Sequence, residues 1–423
     1  MPAPPKTSPP PGGTLPTAAA IRAHAADLSG EVTQLRHRLH QEPEIGLHLP
    51  RTQEKVLEAL DGLPYEVSIG KDTTSVTAVL RGTAPSSASR KPVVLLRGDM
   101  DALPVQEQTG APYASHIDGA MHACGHDLHT AMLAGAARIL ADRRDQLAGD
   151  VVLMFQPGEE GFDGAGVMIR EGVLEAAGRR PDAAYGIHVV SSLLPNGLFA
   201  SRPGTLMSAS DGLYVTVHGA GGHGSAPHRA KDPVTVAAEI VTSLQTMITR
   251  QFDMFDPAVL TVGLLHAGTK RNVIPESARI EATIRTFSEQ NRELMRTAIP
   301  RLVNGIAEAH GLHATVEYET EYPLTVTDAG ETSNIEKHVR DLFGDERYTQ
   351  MVNPLSGSED FSRVLAAVPG SFVFLSAVQP GVDPAGTAFN HSPYAAFDDS
   401  ILADGTALYA QLAMARIAEL AGA

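Results

Sequence analysis

The stretch PVVLLRGDMD, residues 92–101, decides the fold class, because a short apolar run ends there directly in acidic residues. Two similar stretches follow, DVVLMFQPGEE at 150–160 and AAYGIHVV at 183–190, and a fourth apolar run, SFVFLSAV, lies at 371–378. Helical sequence such as HTAMLAGAARILADRR, residues 129–144, separates the first two of them. Apolar runs of strand length that alternate with helices predict an α/β fold with a sheet buried on both faces. In such sheets ligands bind beyond the carboxyl ends of the strands, where the polar residues of these stretches fall.

The composition excludes several classes of protein. The chain has 423 residues, with 33 lysines and arginines against 49 aspartates and glutamates, so its net charge is -16. Such a charge repels nucleic acid and anionic lipid, and we therefore expect no nucleic-acid partner. No apolar run approaches the roughly 20 residues that span a bilayer, so we expect no membrane partner either. The length exceeds the usual size of one hydrophobic core and predicts two domains.

The single cysteine and the first 20 residues bear on the cellular compartment. One cysteine excludes a disulfide within the chain. The opening MPAPPKTSPPPGGTLPTAAA, residues 1–20, has one basic residue and no apolar segment, so it does not have the pattern of a secretory signal. We expect a reducing, cytoplasmic location, and a disordered proline-rich tail over residues 1–20.

The middle of the chain has a different pattern of apolar and polar residues. From about 205 to 320, alternating stretches such as DGLYVTVHGAGG and RIEATIRTF are combined with two helical ones, in the order strand, helix, strand, strand, helix, strand. This order predicts a small α+β domain inserted into a larger domain, which is formed by residues 21–204 and 321–423. Near the start of the larger domain, SGEVTQLRHRLHQ at 29–41 predicts a surface helix with a basic face.

The stretch MHACGHDLHT, residues 121–130, holds the only cysteine together with three histidines. Cys124 and His126 are two positions apart, and a thiolate and an imidazole at that spacing can reach one soft or borderline cation. A helix start beside the thiol also favours its ionised form. Three interpretations remain open at this point: a metal site, a catalytic cysteine with a histidine base, and a helix start that is only rich in histidine.

A second polar group is FQPGEEG, residues 155–161. Glu159 and Glu160 at the end of an apolar strand repel one another if both are buried as anions, which raises one pKa. A divalent cation would relieve that repulsion, because one carboxylate can bind it while the other serves as general base and then as general acid. The alternative is a solvated turn that carries two acids.

Two distant histidines complete a candidate ligand set, although each of them alone is better explained as a core residue. The candidate ligands fall at loop positions around one edge of the sheet: Cys124, His126, Glu160, His188 and His391. Five such ligands suit a two-metal site. Asp101 of RGDMD is a candidate for orienting a ligating histidine.

The stretch GAGGHG, residues 219–224, satisfies the dinucleotide-binding pattern G-x-G-x-x-G and follows a strand. The next helix begins only near Asp232, so a pyrophosphate would not meet a helix N-terminus, and we reject dinucleotide binding. The glycines instead predict a loop in which His223 and His228 approach a substrate closely.

Eight motifs together resemble, in order, those of the M20 metallopeptidases: RHRLHQEPEIG, RGDMDALP, MHACGHDLHTAMLAGAA, VVLMFQPGEEG, GGHGSAPHRAKDPV, RNVIPESARIEATIR, GSEDF and NHSPY. The match is to the amidohydrolase branch, which includes hippurate hydrolases, N-acyl-L-amino-acid amidohydrolases and plant auxin-conjugate hydrolases. It covers about residues 30–415. The resemblance implies a zinc-peptidase-like α/β catalytic domain with two divalent metal ions, and an inserted α+β lid domain through which we expect a homodimer or a higher homo-oligomer.

The resemblance also implies roles for single residues. The implied metal ligands are the same five: Cys124, His126, Glu160, His188 and His391. Glu159 matches the general base, and His223 matches a lid histidine that in relatives reaches the partner subunit's active site. Asn272 and Arg285 lie in stretches that in relatives help to hold the substrate.

The sequence departs from the family pattern at two places. Gly158 stands where relatives often have alanine, and LHLPRT at 47–52 stands where they have a glutamate-containing segment. Neither change touches a predicted ligand.

The predicted reaction is metal-assisted hydrolysis of the amide bond of a small-molecule N-acyl amino acid. Glu159 takes a proton from the attacking water and returns it to the leaving amine, while His223 stabilises the oxyanion and Arg285 pairs with the substrate carboxylate. Zinc, manganese, cobalt and nickel all suit the mixed thiolate, imidazole and carboxylate set. Two alternatives stay open: a dipeptidase or aminopeptidase of the same family, and a cysteine amidase that uses Cys124.

Overall fold

The computed structural model describes residues 16–422. This part of the chain contains ten α-helices: α1 (Ala18–Asp27), α2 (Ser29–Gln41), α3 (Pro50–Leu60), α4 (His126–Ala141), α5 (Gly164–Arg170), α6 (Pro233–Gln251), α7 (Glu289–Ala309), α8 (Ala329–Phe343), α9 (Ser362–Ala367) and α10 (Leu402–Ala421). The same part contains sixteen β-strands: β1 (Tyr65–Ile69), β2 (Val76–Arg81), β3 (Val93–Asp99), β4 (Asp150–Gln156), β5 (Ala183–Val190), β6 (Phe199–Ser201), β7 (Gly204–Met207), β8 (Ala209–His218), β9 (Gly222–His223), β10 (Ala258–Ala267), β11 (Val273–Ile274), β12 (Ser277–Thr286), β13 (His313–Tyr322), β14 (Thr325–Thr327), β15 (Tyr348–Gln350) and β16 (Gly370–Ser376).

The chain folds into two compact units. The larger unit takes the residues up to Ser201, then Asp328–Gln350, and then the residues from Ala367 onward. The smaller unit takes Arg202–Thr327 together with Met351–Ala366. Each unit has an apolar core of its own.

The larger unit is built on an eight-stranded mixed sheet in the order β1-β2-β4-β3-β5-β16-β6-β15. Its centre is parallel, because β3 pairs parallel with β4 and β5, and β5 pairs parallel with β16. Every residue of β3, β4 and β16 is buried, which is the pattern of a parallel sheet covered by helices. The predicted α/β class is confirmed.

Two apolar helices, α4 and α10, pack against β3 and against each other. Small residues allow the close approach. A Cβ atom on Gly405 of α10 would lie 2.0 Å from the Met132 sulfur of α4, and one on Gly135 would lie 2.8 Å from Val32 of α2. The alanine-rich stretch from His126 to Ala141 therefore forms a largely buried helix, in which Arg138 is exposed and whose N-terminus faces the end of β3.

The order of the strands reverses at β3. The chain passes from β3 to β4 on one side and then to β5 on the other side of β3. Ligands of open α/β sheets bind at such a switch point, outside the carboxyl ends of the strands. Asp101 follows β3, Glu159 and Glu160 follow β4, and His188 lies near the end of β5.

The smaller unit has a four-stranded antiparallel sheet in the order β10-β12-β8-β13. Helices α6 and α7 pack on one face of it. Asp232 caps α6 by accepting from the backbone N–H of Val234, and Ser288 caps α7 by accepting from Asn291. Alternation of apolar and polar residues in β8 and β12 matches this one-sided burial.

Three details differ from the expectations. Helix α1 begins at Ala18, inside the predicted tail, because Thr17 caps it by accepting from the Ala20 N–H; residues 1–15 of that prediction lie outside the described residues. The smaller unit runs beyond the predicted limits of 205 and 320. It also takes Met351–Ala366, which had been assigned to the larger domain, because a bridge from Met207 to Leu355 holds this segment.

The predicted basic surface of α2 is wrong for two of its residues. Arg36 and His40 are only 1% and 2% exposed. Arg36 Nε lies 2.7 Å and His40 Nδ1 lies 2.8 Å from the Asp127 carboxylate, which is itself fully buried. A buried acid needs such partners, so these basic side chains turn inward. Among residues 16–422, no helix is long and apolar enough to cross a bilayer.

Candidate metal centre

Cys124 and His126 lie on either side of Gly125, at the start of α4. Gly125 has φ +87°, and a Cβ atom there would lie 2.3 Å from a methyl group of Val189 on β5. Only glycine accommodates both this left-handed conformation and the close approach. The turn thereby directs the thiol and the imidazole toward the end of β5.

The five candidate ligands of the sequence analysis come together in the larger unit. Cys124 Sγ lies 3.5 Å from His188 Nε2 and 3.3 Å from His391 Nε2. Glu160 Oε1 lies 3.1 Å from His391 Nε2 and 3.9 Å from His126 Nε2. Two groups of three that could each hold an ion share the thiol, namely Cys124 with His126 and His188, and Cys124 with Glu160 and His391. A shared sulfur between two groups suits a pair of ions.

The spacing and the unused donors of this cluster fit bound metal. A sulfur at about 2.3 Å and a nitrogen at about 2.0 Å from one tetrahedral zinc ion lie about 3.5 Å apart, close to the two sulfur–nitrogen distances found here. Among the described residues, both ring nitrogens of the buried His126 and the Oε1 atom of Glu160 lack a hydrogen-bond partner of good geometry. Buried polar atoms are rarely left in that state without an ion or water. Thiolate, imidazole and carboxylate together favour a transition metal over magnesium or calcium.

Without a cation the cluster has shifted protonation equilibria. Burial and the Glu160 carboxylate raise the pKa of the Cys124 thiol, so a helix start does not suffice to ionise it, contrary to the expectation from sequence. Hydrogen bonds to Cys124 and Glu160 raise the pKa of His391 to about 10. Burial would raise the pKa of Glu160, but the hydrogen bond to His391 and the charge on His126 lower it overall. The metal-free cluster therefore holds protons that a cation would displace.

Asp101 supports the two glutamates through their backbone. Its carboxylate oxygens accept hydrogen bonds from the N–H groups of Glu159 and Glu160, both at 3.0 Å, and Oδ1 lies 3.3 Å from His126 Nδ1. One carboxylate therefore sets both the turn of FQPGEEG and the orientation of a candidate ligand. Glu159, buried at 7% exposure, offers an oxygen within 4.8 Å of ligand atoms of His126 and Glu160.

A third group, formed by Asp99, His126 and His129, has metal-like spacing but a different explanation. His129 Nδ1 lies 2.6 Å from Asp99, and its Nε2 accepts the Val189 N–H at 2.7 Å, so both of its ring nitrogens are used. The Arg97 guanidinium lies 2.6 Å from the same aspartate and supplies the positive charge. Asp99 and His129 therefore support the backbone of β5, which leaves His126 to the group with Cys124 and His188.

The two departures from the family pattern meet at this site. Gly158 has φ +72°, and a Cβ atom there would lie 2.5 Å from the Leu47 side chain. Glycine suits position 158, because the left-handed conformation is strained for other residues and a side chain there would require Leu47 to move.

The three remaining predicted site residues belong to the smaller unit. His223 on β9 pairs with Val273 on β11, and the Asn272 carbonyl accepts from the Gly224 N–H, so the histidine and the asparagine are neighbours. Arg285 lies on β12, in another sheet. Burial lowers the pKa of Arg285, and one of its terminal nitrogens has no hydrogen-bond partner among the described residues.

Known proteins resemble the chain over most of its length. A model of the peptidase family M20/M25/M40 matches residues 95–415. A thermostable carboxypeptidase of Saccharolobus solfataricus is 36% identical over 399 residues, which are 93% of this chain and 97% of that protein. An IAA-amino acid hydrolase of Arabidopsis thaliana is 36% identical over 392 residues, 91% of this chain and 86% of that protein. A crystal structure of a dinuclear metal-binding peptidase of the M20 family from Bacillus subtilis is similar with a TM-score of 0.78 and 30% identity, over 93% of this chain and 99% of the other.

Proposed function

The chain belongs to the peptidase family M20/M25/M40, and from this premise we propose that it is a metal-dependent amidohydrolase that cleaves the amide bond of N-acyl amino acids. The family makes it a hydrolase of amide bonds. The N-acyl amino acid as substrate, the five ligands and the role of Glu159 are our proposal.

The arrangement of Glu159 carries the proposal. It is a buried carboxylate that lies beside His126 and Glu160, and Asp101 fixes its backbone. A carboxylate held next to candidate metal ligands, but not needed among the five, is placed to move a proton. Two neighbouring buried carboxylates repel each other as anions, and a nearby cation would relieve that repulsion.

The residues divide the work as follows. A pair of divalent ions held by the five candidate ligands would supply Lewis-acid activation of water and of the substrate carbonyl. Glu159 takes the proton of the attacking water and later gives it to the leaving amine. His223, Asn272 and Arg285 of the smaller unit are proposed to hold the substrate, a role that rests on the sequence resemblance alone.

The loop that carries His391 supports an apolar acyl group. Phe389 and Tyr394 stand on either side of His391 in the sequence and are 49% and 57% exposed. Two exposed aromatic side chains in one loop offer a surface for an apolar group, and both lie within three residues of a candidate ligand in the sequence. We therefore expect aromatic acyl groups to be preferred over acetyl.

A substrate screen tests the function. The purified chain is treated with chelator, reloaded with zinc, manganese, cobalt or nickel, and assayed on N-acetyl, N-benzoyl and indole-3-acetyl amino acids and on dipeptides. We expect metal-dependent hydrolysis with benzoyl and indole-3-acetyl substrates cleaved fastest. Cleavage of dipeptides alone would make it a peptidase, and no cleavage with any metal would overturn the proposal.

The alternative of a cysteine amidase predicts the opposite response of the activity to inhibitors. Such an enzyme would keep its activity in chelator and lose it on alkylation of Cys124. We expect chelator to abolish activity and Cys124→Ser to lower the metal content, because a hydroxyl does not ionise as a ligand at neutral pH.

A homodimer through the smaller unit is also proposed. Strand β10 is one edge of its sheet and exposes Val259, Leu264 and Leu265, whereas the other edge, β13, carries the charged Glu317 and Glu319. Unpaired apolar edge strands tend to pair with another chain, and charged edges resist it. A two-fold pairing of β10 with β10 would join the two sheets.

Light scattering after gel filtration tests the dimer. We expect twice the chain mass for the wild type, the chain mass for Leu265→Glu, and twice the mass for Thr320→Glu on β13. A monomeric wild type would contradict the proposal. A cytoplasmic location remains a prediction from the sequence.

A further inference from the structure

Asn390 stands directly before His391 and is not among the predicted site residues. Its amide nitrogen lies 3.1 Å from the Cys124 carbonyl oxygen, 3.0 Å from the Val189 carbonyl oxygen and 3.8 Å from Cys124 Sγ. Its amide oxygen accepts from the Ser191 N–H at 3.0 Å and from the Ser191 hydroxyl at 3.1 Å. One side chain therefore joins three separate segments of the larger unit.

The orientation of this amide is determined by its partners. The Ser191 backbone N–H can only donate, so it must face the amide oxygen of Asn390. The NH₂ group then faces two carbonyl oxygens, each of which can only accept. The flipped orientation would place donor against donor or acceptor against acceptor at the three backbone contacts, so the amide has one favourable orientation.

Each contact of the Asn390 amide with a backbone carbonyl helps to position a different candidate ligand. The Cys124 carbonyl belongs to the residue that carries the thiol. The Val189 carbonyl also accepts from His188 Nδ1 at 2.8 Å, which leaves His188 Nε2 free to face Cys124 Sγ. A ligating histidine is commonly held in this way, by a hydrogen bond from its other ring nitrogen to a backbone carbonyl.

The third candidate ligand, His391, follows Asn390 in a backbone conformation that needs support. His391 has φ +73°, which is uncommon outside glycine, and its N–H donates to the Ala123 carbonyl at 2.8 Å. The Ser191 hydroxyl lies 2.8 Å from the Ala388 carbonyl and ties the same loop to the end of β5. Such a conformation persists only where the surroundings over-determine it.

We propose that Asn390 is a positioning residue of the metal centre, which holds Cys124, His188 and His391 in one arrangement through their backbones. The proposal rests on the proposed function, because it presupposes that these three side chains bind metal. Asn390 itself donates no atom to the ion. Its NH₂ group fixes the thiol-bearing turn and the carbonyl that orients His188, and its own backbone places His391.

Metal binding, measured apart from catalysis, tests this role. Wild type and Asn390→Ala are stripped of metal and titrated with Co²⁺ in competition with a chromophoric chelator. We expect binding about 10- to 100-fold weaker in Asn390→Ala, as for other residues that orient ligands. At saturating Co²⁺, the thiolate-to-cobalt charge-transfer band should be shifted or weakened, since the thiol and the imidazoles would no longer be held in one geometry.

Asn196→Ala is the matched control. Asn196 also lies in the larger unit, and its amide nitrogen also donates to a backbone carbonyl, that of Val378, and to Asp398. It contacts none of the candidate ligands in the hydrogen bonds it makes. Its replacement should leave both the affinity for Co²⁺ and the spectrum unchanged.

Ser191→Ala keeps the proposal testable if Asn390→Ala does not fold. It removes one hydroxyl from the network and leaves the backbone contact, so we expect about 2- to 10-fold weaker Co²⁺ binding. Wild-type affinity and spectrum in whichever of the two variants folds would overturn the role of Asn390. A wild-type chain that binds no metal would instead overturn the proposed function.

Discussion

Glu159 and Glu160 are neighbours in the sequence with different surroundings in the fold. Glu160 lies 3.1 Å from His391, in a group of three with Cys124. Glu159 belongs to no group of three with that thiol. Hydrogen bonds from the backbone N–H groups of Glu159 and Glu160 to Asp101 hold both residues in one turn. We propose a different role for each of the two carboxylates.

We predict that Glu159→Gln reduces kcat by about 10²- to 10⁴-fold while metal content stays at the wild-type level, because an amide cannot accept the proton. Glu54→Gln, on the exposed side of α3, is the control and should keep full activity. Activity assays measure kcat, and elemental analysis measures the metal content of each variant. Loss of metal in Glu159→Gln would mean that the roles of the two glutamates are reversed.

Among the structural elements, the start of α4 has a tightly constrained backbone conformation. Helix α4 is buried from His126 to Ala137, and its first turn follows a residue at φ +87°. The Cys124–Gly125–His126 turn meets Val189 of β5, which takes part in the support of His188. A change at this turn therefore affects both candidate ligands of the turn and also β5, which carries His188.

We predict that Gly125→Ala lowers the free energy of unfolding by about 1–3 kcal/mol and weakens metal binding, because the added methyl collides with Val189 in a strained conformation. Gly30→Ala in α2 is the control. A Cβ atom there meets nothing within 4 Å, so it should leave stability unchanged or raise it by about 0.4–1 kcal/mol. Denaturant titration of both variants measures these changes. Equal stability of the two variants would contradict the argument.

At the scale of the whole larger unit, buried ion pairs join segments that are distant in sequence. Asp127 of α4 binds Arg36 and His40 of α2, and Arg36 also binds Asp399 near the C-terminal helix. His40 in turn contacts Glu107, in the loop that follows β3. These contacts connect the beginning, the middle and the end of the chain beneath the candidate metal centre.

Glu107 makes this network sensitive to acid. Burial would raise its pKa, but hydrogen bonds from His40, the Ser115 N–H and the Thr109 hydroxyl lower the pKa of Glu107 to about 2. A glutamate in an unfolded chain has a pKa of about 4.3. Because the folded pKa is the lower one, the stabilising contribution is complete above about pH 4.3 and is lost as the pH falls toward 2.

We predict that Glu107→Gln lowers the denaturation midpoint of the metal-free protein at pH 6, and that the difference from wild type shrinks between about pH 4 and pH 2. Glu31→Gln, on the exposed side of α2, should show no such difference. Chemical unfolding at a series of pH values measures the effect. A difference that is independent of pH would show that the carboxylate charge is not the cause.

The sequence predicted the candidate site residues better than it predicted the residues that hold them in position. The α/β class, the family and the side chains that meet at the sheet edge were all within reach of local patterns, because each strand ends in its own polar residue. Asn390 and the bonds of His129 were missed, since both residues act on backbone groups of β5 far away in the chain. The nearness of Asn390 to His391 was the only available signal.

The amino-acid sequence by itself determined which residues can hold metal and move a proton, because those abilities belong to side-chain chemistry and to motifs of a few residues. Only the tertiary structure decided which of them meet. It brought the Cys124 thiol within 3.5 Å of both His188 and His391, turned Arg36 and His40 inward, and used His129 for support. The reason is physical: buried polar groups must find partners, and those partners come from whichever segments the packing of the sheet and helices brings close.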